Sequence, residues 1–243
     1  MRWLVDLHCH SVASGHAYST VQEMARAAAD KGLKMFALTD HGPAMPGGPH
    51  LYHFGNLRVL PETIYGVRVL KGVEANIIGL DGTLDLPDQY LAKLEIVLAG
   101  FHTYCFPADQ GIVTNTDAML KAMAHPLVDV IVHPGNPEFQ IDPEVIVQGA
   151  KHYGKAIEIN NSSLGGSRKG SATNCAAIAR LAAEYGVLIS LGSDSHYADW
   201  VGELTAAWDL CQRQGVKEEQ ILNRSPETVL AYLEQRRRTG TCK

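Results

Sequence analysis

The stretch WLVDLHCH, residues 3–10, is an apolar run that ends in two histidines. Such a run of branched and aromatic residues reads as a β-strand. Side chains alternate faces along a strand, so Asp6, His8 and His10 are expected on one face and Cys9 on the other. Two residues of strand span about 6.6 Å, a spacing from which two imidazoles reach a common ion. Cys9 is expected in the core.

The same ending recurs along the chain. Apolar strands are expected at Trp3–Cys9, Lys34–Thr39, Arg68–Ala75, Ile96–Phe101, Val128–Val132, Ala156–Asn160 and Val187–Gly192. The second runs into Thr39-Asp40-His41, and the third holds Gly72-Val73-Glu74. The fourth ends in Phe101-His102, the fifth in His133-Pro134, and the seventh in Ser193-Asp194-Ser195-His196. Helical patterns fill most gaps. They open at a Thr20–Glu23 capping box, at Asn115, at Asp142-Pro143, at Ser171, at Glu203 and at Ser225-Pro226. Strand–helix alternation without repeats or linkers points to one domain over 1–243, an α/β barrel of parallel strands. Histidines and carboxylates gathered at one end of such a barrel are a metal site. With His16 in the loop after the first strand there are nine such groups, more than the four that one zinc ion takes, and Glu74 is placed to bridge. Imidazole with carboxylate suits zinc, and also manganese or iron.

Composition narrows the class. The chain has 46% apolar and 19% charged residues and a net charge of −5, which disfavours a nucleic-acid partner. No apolar run is long enough for a membrane span, and Arg2 leads straight into the first strand, so no signal peptide is expected. Cys9, Cys105, Cys175, Cys211 and Cys242 form no paired motif and read as reduced thiols of a cytoplasmic protein. The basic run Arg236-Arg237-Arg238 reads as a solvated last turn of helix. Two long loops, Gly42–Pro61 and Ser162–Gly170, follow the second and sixth strands. The second loop offers Arg168 and Lys169 to a phosphate, and the first offers His50 and His53 to a substrate. Asp6 and Asp40 are candidates to orient imidazoles, and Asn160 and Asn161 to line the pocket.

The ordered set DLHCHS, TDH, GVE, GFH, HPGNP and GSDSH resembles the motifs of the PHP (polymerase and histidinol phosphatase) superfamily. With FGNLRVLP, EINNSS and SRKGS the likeness extends over essentially the whole chain, which within the superfamily is similar to the YcdX-type phosphatases. The resemblance implies a distorted (β/α)7 TIM-like barrel with a trinuclear, usually zinc, centre. One ion would take His8, His10, Glu74 and Asp194; a second would share Glu74 and add His102 and His133; a third would take His16, His41 and His196. Only the resemblance assigns His16, and it further implies a trimer. The expected activity is hydrolysis of a small phosphate monoester by a metal-bound hydroxide, with Glu74, Asp194 and Arg168 in the catalytic set. The rivals are a phosphodiesterase or nuclease of the same superfamily, a histidinol-phosphate phosphatase, and a non-catalytic metal-binding barrel.

Overall fold

The computed structural model describes residues 3–107 and 109–240. Cys242 and Arg2 lie outside them. Among the described residues eight strands form: β1 (Val5–Cys9), β2 (Met35–Leu38), β3 (Thr63–Ile64), β4 (Val67–Asn76), β5 (Ile96–Gly100), β6 (Val130–Ile131), β7 (Ala156–Asn160) and β8 (Ile189–Gly192). Seven run parallel in the order β1-β2-β4-β5-β6-β7-β8, and the short β3 adds antiparallel to β4. The seven are the expected seven, each within two residues of its expected bounds.

The sheet curls into a nearly closed barrel. Past the ends of β8 and β1, Asp194 N–H donates to the His8 carbonyl (2.9 Å) and His10 N–H to the Ser195 carbonyl (2.9 Å). Lower down the seam is bridged by a side chain. Asn223 donates to the carbonyls of Val5 (2.9 Å) and Leu191 (2.8 Å) and accepts the N–H of Leu191 (2.7 Å).

The lower half of the lumen is apolar. Val5, Leu7, Met35, Leu70, Leu98 and Val130 meet there, closed from below by Leu222, Val229, Tyr232 and Leu233. Alternate residues such as Phe36, Val73, Val97, Ile157 and Leu191 face the helices outside. Burying each large aliphatic side chain contributes about 1.5–3 kcal/mol, so this part of the molecule coheres without the polar layer above it.

Helices α1 (Val21–Lys31), α2 (Leu51–Asn56), α3 (Asp88–Leu91), α4 (Gly111–Ala124), α5 (Pro143–Tyr153), α6 (Asn161–Leu164), α7 (Ser171–Tyr185), α8 (Thr205–Arg213) and α9 (Pro226–Gly240) complete the chain. The capping box of α1 forms as expected, with Glu23 N–H on Thr20 Oγ1 and Thr20 N–H on Glu23 Oε2, and Gly32 ends the helix in the left-handed region. Asp142 caps α5 through the N–H groups of Glu144 and Val145. Helix α4 starts four residues before its expected start at Asn115.

The basic run is a correction. Arg236 is buried and donates to the carbonyls of Tyr153, Pro126 and Val128, while Arg237 donates to those of Leu94 and Glu95. Arg236 and Arg237 therefore fasten α9 across the lower mouth of the barrel, Arg236 from a buried position and Arg237 from an exposed one; Arg238, paired with Glu234, is exposed as expected. No helix among the described residues is long and apolar enough to cross a membrane.

Candidate metal centre

The upper mouth of the barrel is built from strand ends. His8 lies within β1, Glu74 within β4 and Glu158 within β7. His41, His102 and His133 follow β2, β5 and β6, and Asp194 and His196 follow β8. The ladder continues through these positions: Glu74 N–H donates to the Asp40 carbonyl (3.1 Å), and Gly42 N–H to the Glu74 carbonyl (2.9 Å).

One irregularity aims the first histidine. Asp6 pairs with Phe36 but Cys9 with Leu38, so β1 carries one extra residue against β2. A bulge of this kind shifts side chains to the other face. Leu7 joins the lumen core, His8 faces Glu74 and Glu158, and Cys9 is buried among outer-layer residues. The expected shared face of Asp6 with His8 and His10 is thereby broken. Asp6 instead accepts the backbone N–H groups of His8, Ser193 and Gly202.

Glu74 stands at the centre, wholly buried, with its two oxygens facing different imidazoles. Oε1 lies 2.9 Å from His102 Nε2 and 2.7 Å from His133 Nε2. Oε2 lies 2.8 Å from His41 Nδ1, 3.3 Å from His8 Nε2 and 3.4 Å from His10 Nε2. Asp194 Oδ1 closes the near side, 3.7 Å from His8 Nε2 and 3.4 Å from His10 Nε2. Four donors at about 2.0–2.2 Å from one ion in a tetrahedron stand roughly 3.3–3.6 Å from each other. The four imidazole–carboxylate distances among His8, His10, Glu74 and Asp194, from 3.3 to 3.7 Å, lie close to that spacing. His8 Nε2, His10 Nε2, His41 Nδ1 and Glu74 Oε2 are buried without a hydrogen-bond partner, a condition that a divalent ion relieves.

Three groups of donors within 4.8 Å occur among the described residues: His8 with His10 and Asp194, His41 with Glu74 and His102, and His10 with His41 and His196. His10 and His41 thus stand between groups. His16 is exposed, and its ring stacks on those of His41 (5.0 Å) and His196 (4.8 Å). His196 Nδ1 donates to the Asp194 carbonyl (3.0 Å), which leaves its Nε2 lone pair free to coordinate.

Electrostatics favour the ligating protonation states. Burial alone would raise the Glu74 and Asp194 carboxyls. Glu74 is instead held well below the usual range by His102, His8 and His41, and Asp194 by Arg168 and His8. Burial, with Arg168 nearby, pushes His133 down to about 3, and burial with His41 lowers His10. His8 goes the other way: burial opposes its charge, yet Glu158, Glu74 and Asp194 around it raise it.

The remaining candidates divide. Arg168 Nη1 donates to Asp194 Oδ2 (2.9 Å) and Ser163 Oγ (3.1 Å), at the edge of the centre. Lys169 is exposed on the same loop. Asp40 accepts Ser11 and Ser14 and faces His53 (3.2 Å); through Ser14 Oγ, 3.2 Å from His10 Nδ1, it braces His10 at one remove. Asn160 donates to Asp194 Oδ2 (3.2 Å). Asn161 accepts Ala207 N–H and His50 accepts Tyr52 N–H, both structural caps. Glu158 was missed by the sequence reading. Its signal was alternation in AIEIN, which puts Glu158 and Asn160 on the lumen face together with Ala156.

A model of the PHP domain matches residues 6–162. The chain belongs to the PHP domain family. A probable phosphatase of Caldanaerobacter subterraneus subsp. tengcongensis is 49% identical to this PHP chain over 98% of it and 94% of that protein. One from Shewanella sp. is 48% identical over 97% and 93%. Among solved structures, histidinol phosphate phosphatase from Lactococcus lactis, complexed with zinc, L-histidinol and phosphate, shares the fold. Its TM-score is 0.58 at 15% identity, over 89% of this chain and 95% of that one. With relatives named phosphatases along nearly its whole length, this PHP chain is a phosphoric ester hydrolase.

Proposed function

We propose that residues 1–243 act as one cytoplasmic PHP metallohydrolase that removes the phosphoryl group from a small phosphate monoester, using three zinc-type ions. His8, His10, Glu74 and Asp194 hold the first ion. Glu74 is shared with a second, completed by His102 and His133, and His16, His41 and His196 hold a third. The observation that supports this reading is the division of Glu74, with His102 and His133 on one oxygen and His8, His10 and His41 on the other. Zinc is the metal named with the Lactococcus lactis enzyme, and the imidazole–carboxylate donors suit it.

Ions bound there supply Lewis-acid polarisation of the phosphoryl group and lower the pKa of water. The protein's own groups do the rest. Arg168, anchored by Asp194, presents the outer part of its guanidinium to a phosphoryl oxygen. His10 and His133, kept neutral, hold lone pairs toward the centre at working pH. Asp40 and Ser14 fix the plane of His10.

Metal analysis of gently purified protein, joined to turnover of a panel of phosphomonoesters, histidinol phosphate and single-stranded DNA, tests the proposal. The expected result is about three metals per chain with monoester hydrolysis. One metal or fewer after zinc supplementation refutes the trinuclear centre, and cleavage of DNA alone refutes the substrate class.

A further inference from the structure

Glu158 is 1% exposed, and both its oxygens are engaged. Oε1 lies 2.7 Å from His8 Nδ1. Oε2 accepts the backbone N–H of His133 (2.9 Å) and the Asn160 side-chain amide (3.2 Å). A carboxylate only accepts, so the hydrogen in the first contact sits on His8 Nδ1. With an ion bound, this leaves the lone pair on Nε2, the atom that faces Glu74 Oε2 at 3.3 Å and Asp194 Oδ1 at 3.7 Å.

The second oxygen acts on strain. His133 (φ 33°) and Asp194 (φ 54°) both lie in the left-handed region, which side-chain-bearing residues rarely adopt. Glu158 holds His133 there through its N–H. Asn160, itself bonded to Glu158, holds Asp194 through Oδ2 (3.2 Å). The neighbouring strand makes room for this. A Cβ on Gly192 would stand 1.9 Å from Glu158 Oε1 and 2.9 Å from His8 Cβ.

We propose that Glu158 is a positioning residue for the metal centre: it sets the coordinating nitrogen of His8 and holds His133 and Asp194 in their strained conformations. The inference rests on the metal-centre reading above. A carboxylate behind a ligating imidazole fixes which nitrogen binds, and its loss lowers metal affinity about 10–100-fold.

Glu158→Gln is the test. A glutamine offers one carbonyl oxygen and one amide NH2, so a donor must face either His8 Nδ1–H or the N–H groups of His133 and Asn160. Zinc affinity by chelator competition should fall at least tenfold at one site while circular dichroism and the melting transition show a folded chain. In the zinc-loaded wild type, long-range proton–nitrogen spectra, assigned with His8→Asn, should place the His8 hydrogen on Nδ1. Unchanged affinity in the variant overturns the inference. A tenfold loss with the hydrogen still on Nδ1 in the variant means that the glutamine carbonyl faces His8 and its NH2 meets the N–H groups of His133 and Asn160, and it supports the hold on His133 and Asp194; a hydrogen on Nε2 in the wild type overturns the tautomer assignment. If Glu158→Gln does not fold, the wild-type spectrum decides: a hydrogen on Nε2 overturns the proposal and one on Nδ1 supports it. Failure of the wild type to take up zinc instead sinks the metal reading itself.

Discussion

Glu74 meets five imidazoles supplied by β1, β2, β5 and β6 or the residues just past them, so its charge is a load shared around the mouth of the barrel. Glu74→Gln keeps the shape but removes a negative charge between the two proposed ion sites. It should lose about two metals and lower kcat by at least ~10³-fold, whereas His196→Ala, at the edge, should lose about one metal and keep measurable turnover. Metal analysis with kinetics compares them, and equal metal loss in the two variants removes Glu74 from the bridge. Arg168→Ala should weaken inhibition by inorganic phosphate tenfold or more, since a charge-assisted hydrogen bond contributes about 1.5–3 kcal/mol. Asn160 still holds Asp194 Oδ2 in that variant, so the metal content should stay. Unchanged phosphate inhibition returns Arg168 to a purely structural partner of Asp194. The candidate ligands other than His16 could be picked out because each closes or follows an apolar run, a pattern visible in one dimension; His16, in the loop after the first strand, came from the family resemblance alone. Glu158 could not be singled out in that way. It sits inside its strand, and what distinguishes it is contact with His8, 150 residues away.

At the lower mouth, α9 lies over a small set of buried charges. Asp129, between β5 and β7, accepts Val97 N–H, and Tyr232 of α9 donates to its carbonyl. Burial pushes the Asp129 carboxyl up to about 6, against an ordinary 3.8, even with Lys155, Arg236 and Arg237 near it. Between those two values the folded state binds more protons than the unfolded one, so the stability this carboxyl contributes in its protonated form falls as pH rises from about 3.8 and is gone above about 6. Two pKa units correspond to about 3 kcal/mol. Asp129→Asn lacks this penalty, so its stability relative to wild type should rise by about that amount between pH 3.5 and 7.5 in urea denaturation. A pH-independent difference overturns the assignment. Elements with local signals were legible: Thr20 with Glu23, Asp142 with Pro143, and Gly32 and Gly154 at helix ends. Helix α2 was hidden because its six residues lie inside a Gly- and Pro-rich stretch read as loop. Arg236 and Arg237 of α9 were misread because their partners are backbone carbonyls on other elements, which no spacing in the helix reveals.

Across the whole molecule, an apolar lower lumen and a polar upper mouth divide the work of cohesion and chemistry. Chelation should therefore abolish activity and leave the α/β circular dichroism in place. Ligand linkage of about 2.7 kcal/mol at a hundredfold excess over Kd, at about 2–4 °C per kcal/mol for a chain this size, puts the drop in Tm at roughly 5–10 °C. A random-coil spectrum after chelation would show that the apolar layer is too weak to stand alone. The seam at Asn223 also sets a timetable. A ribosome adding about 5–20 residues per second takes roughly 10–40 s to travel from His8 to His196. For all that time the nascent chain carries its first two histidines with no Asp194 opposite them. The stitch that joins the first strand to the last emerges later still, at residue 223. A metal met early finds the imidazoles and Glu74 of an unclosed sheet, without Asp194 or His196. In the reading proposed above the cage closes only in the last moments of synthesis, so durable loading would belong to the end of the protein's birth.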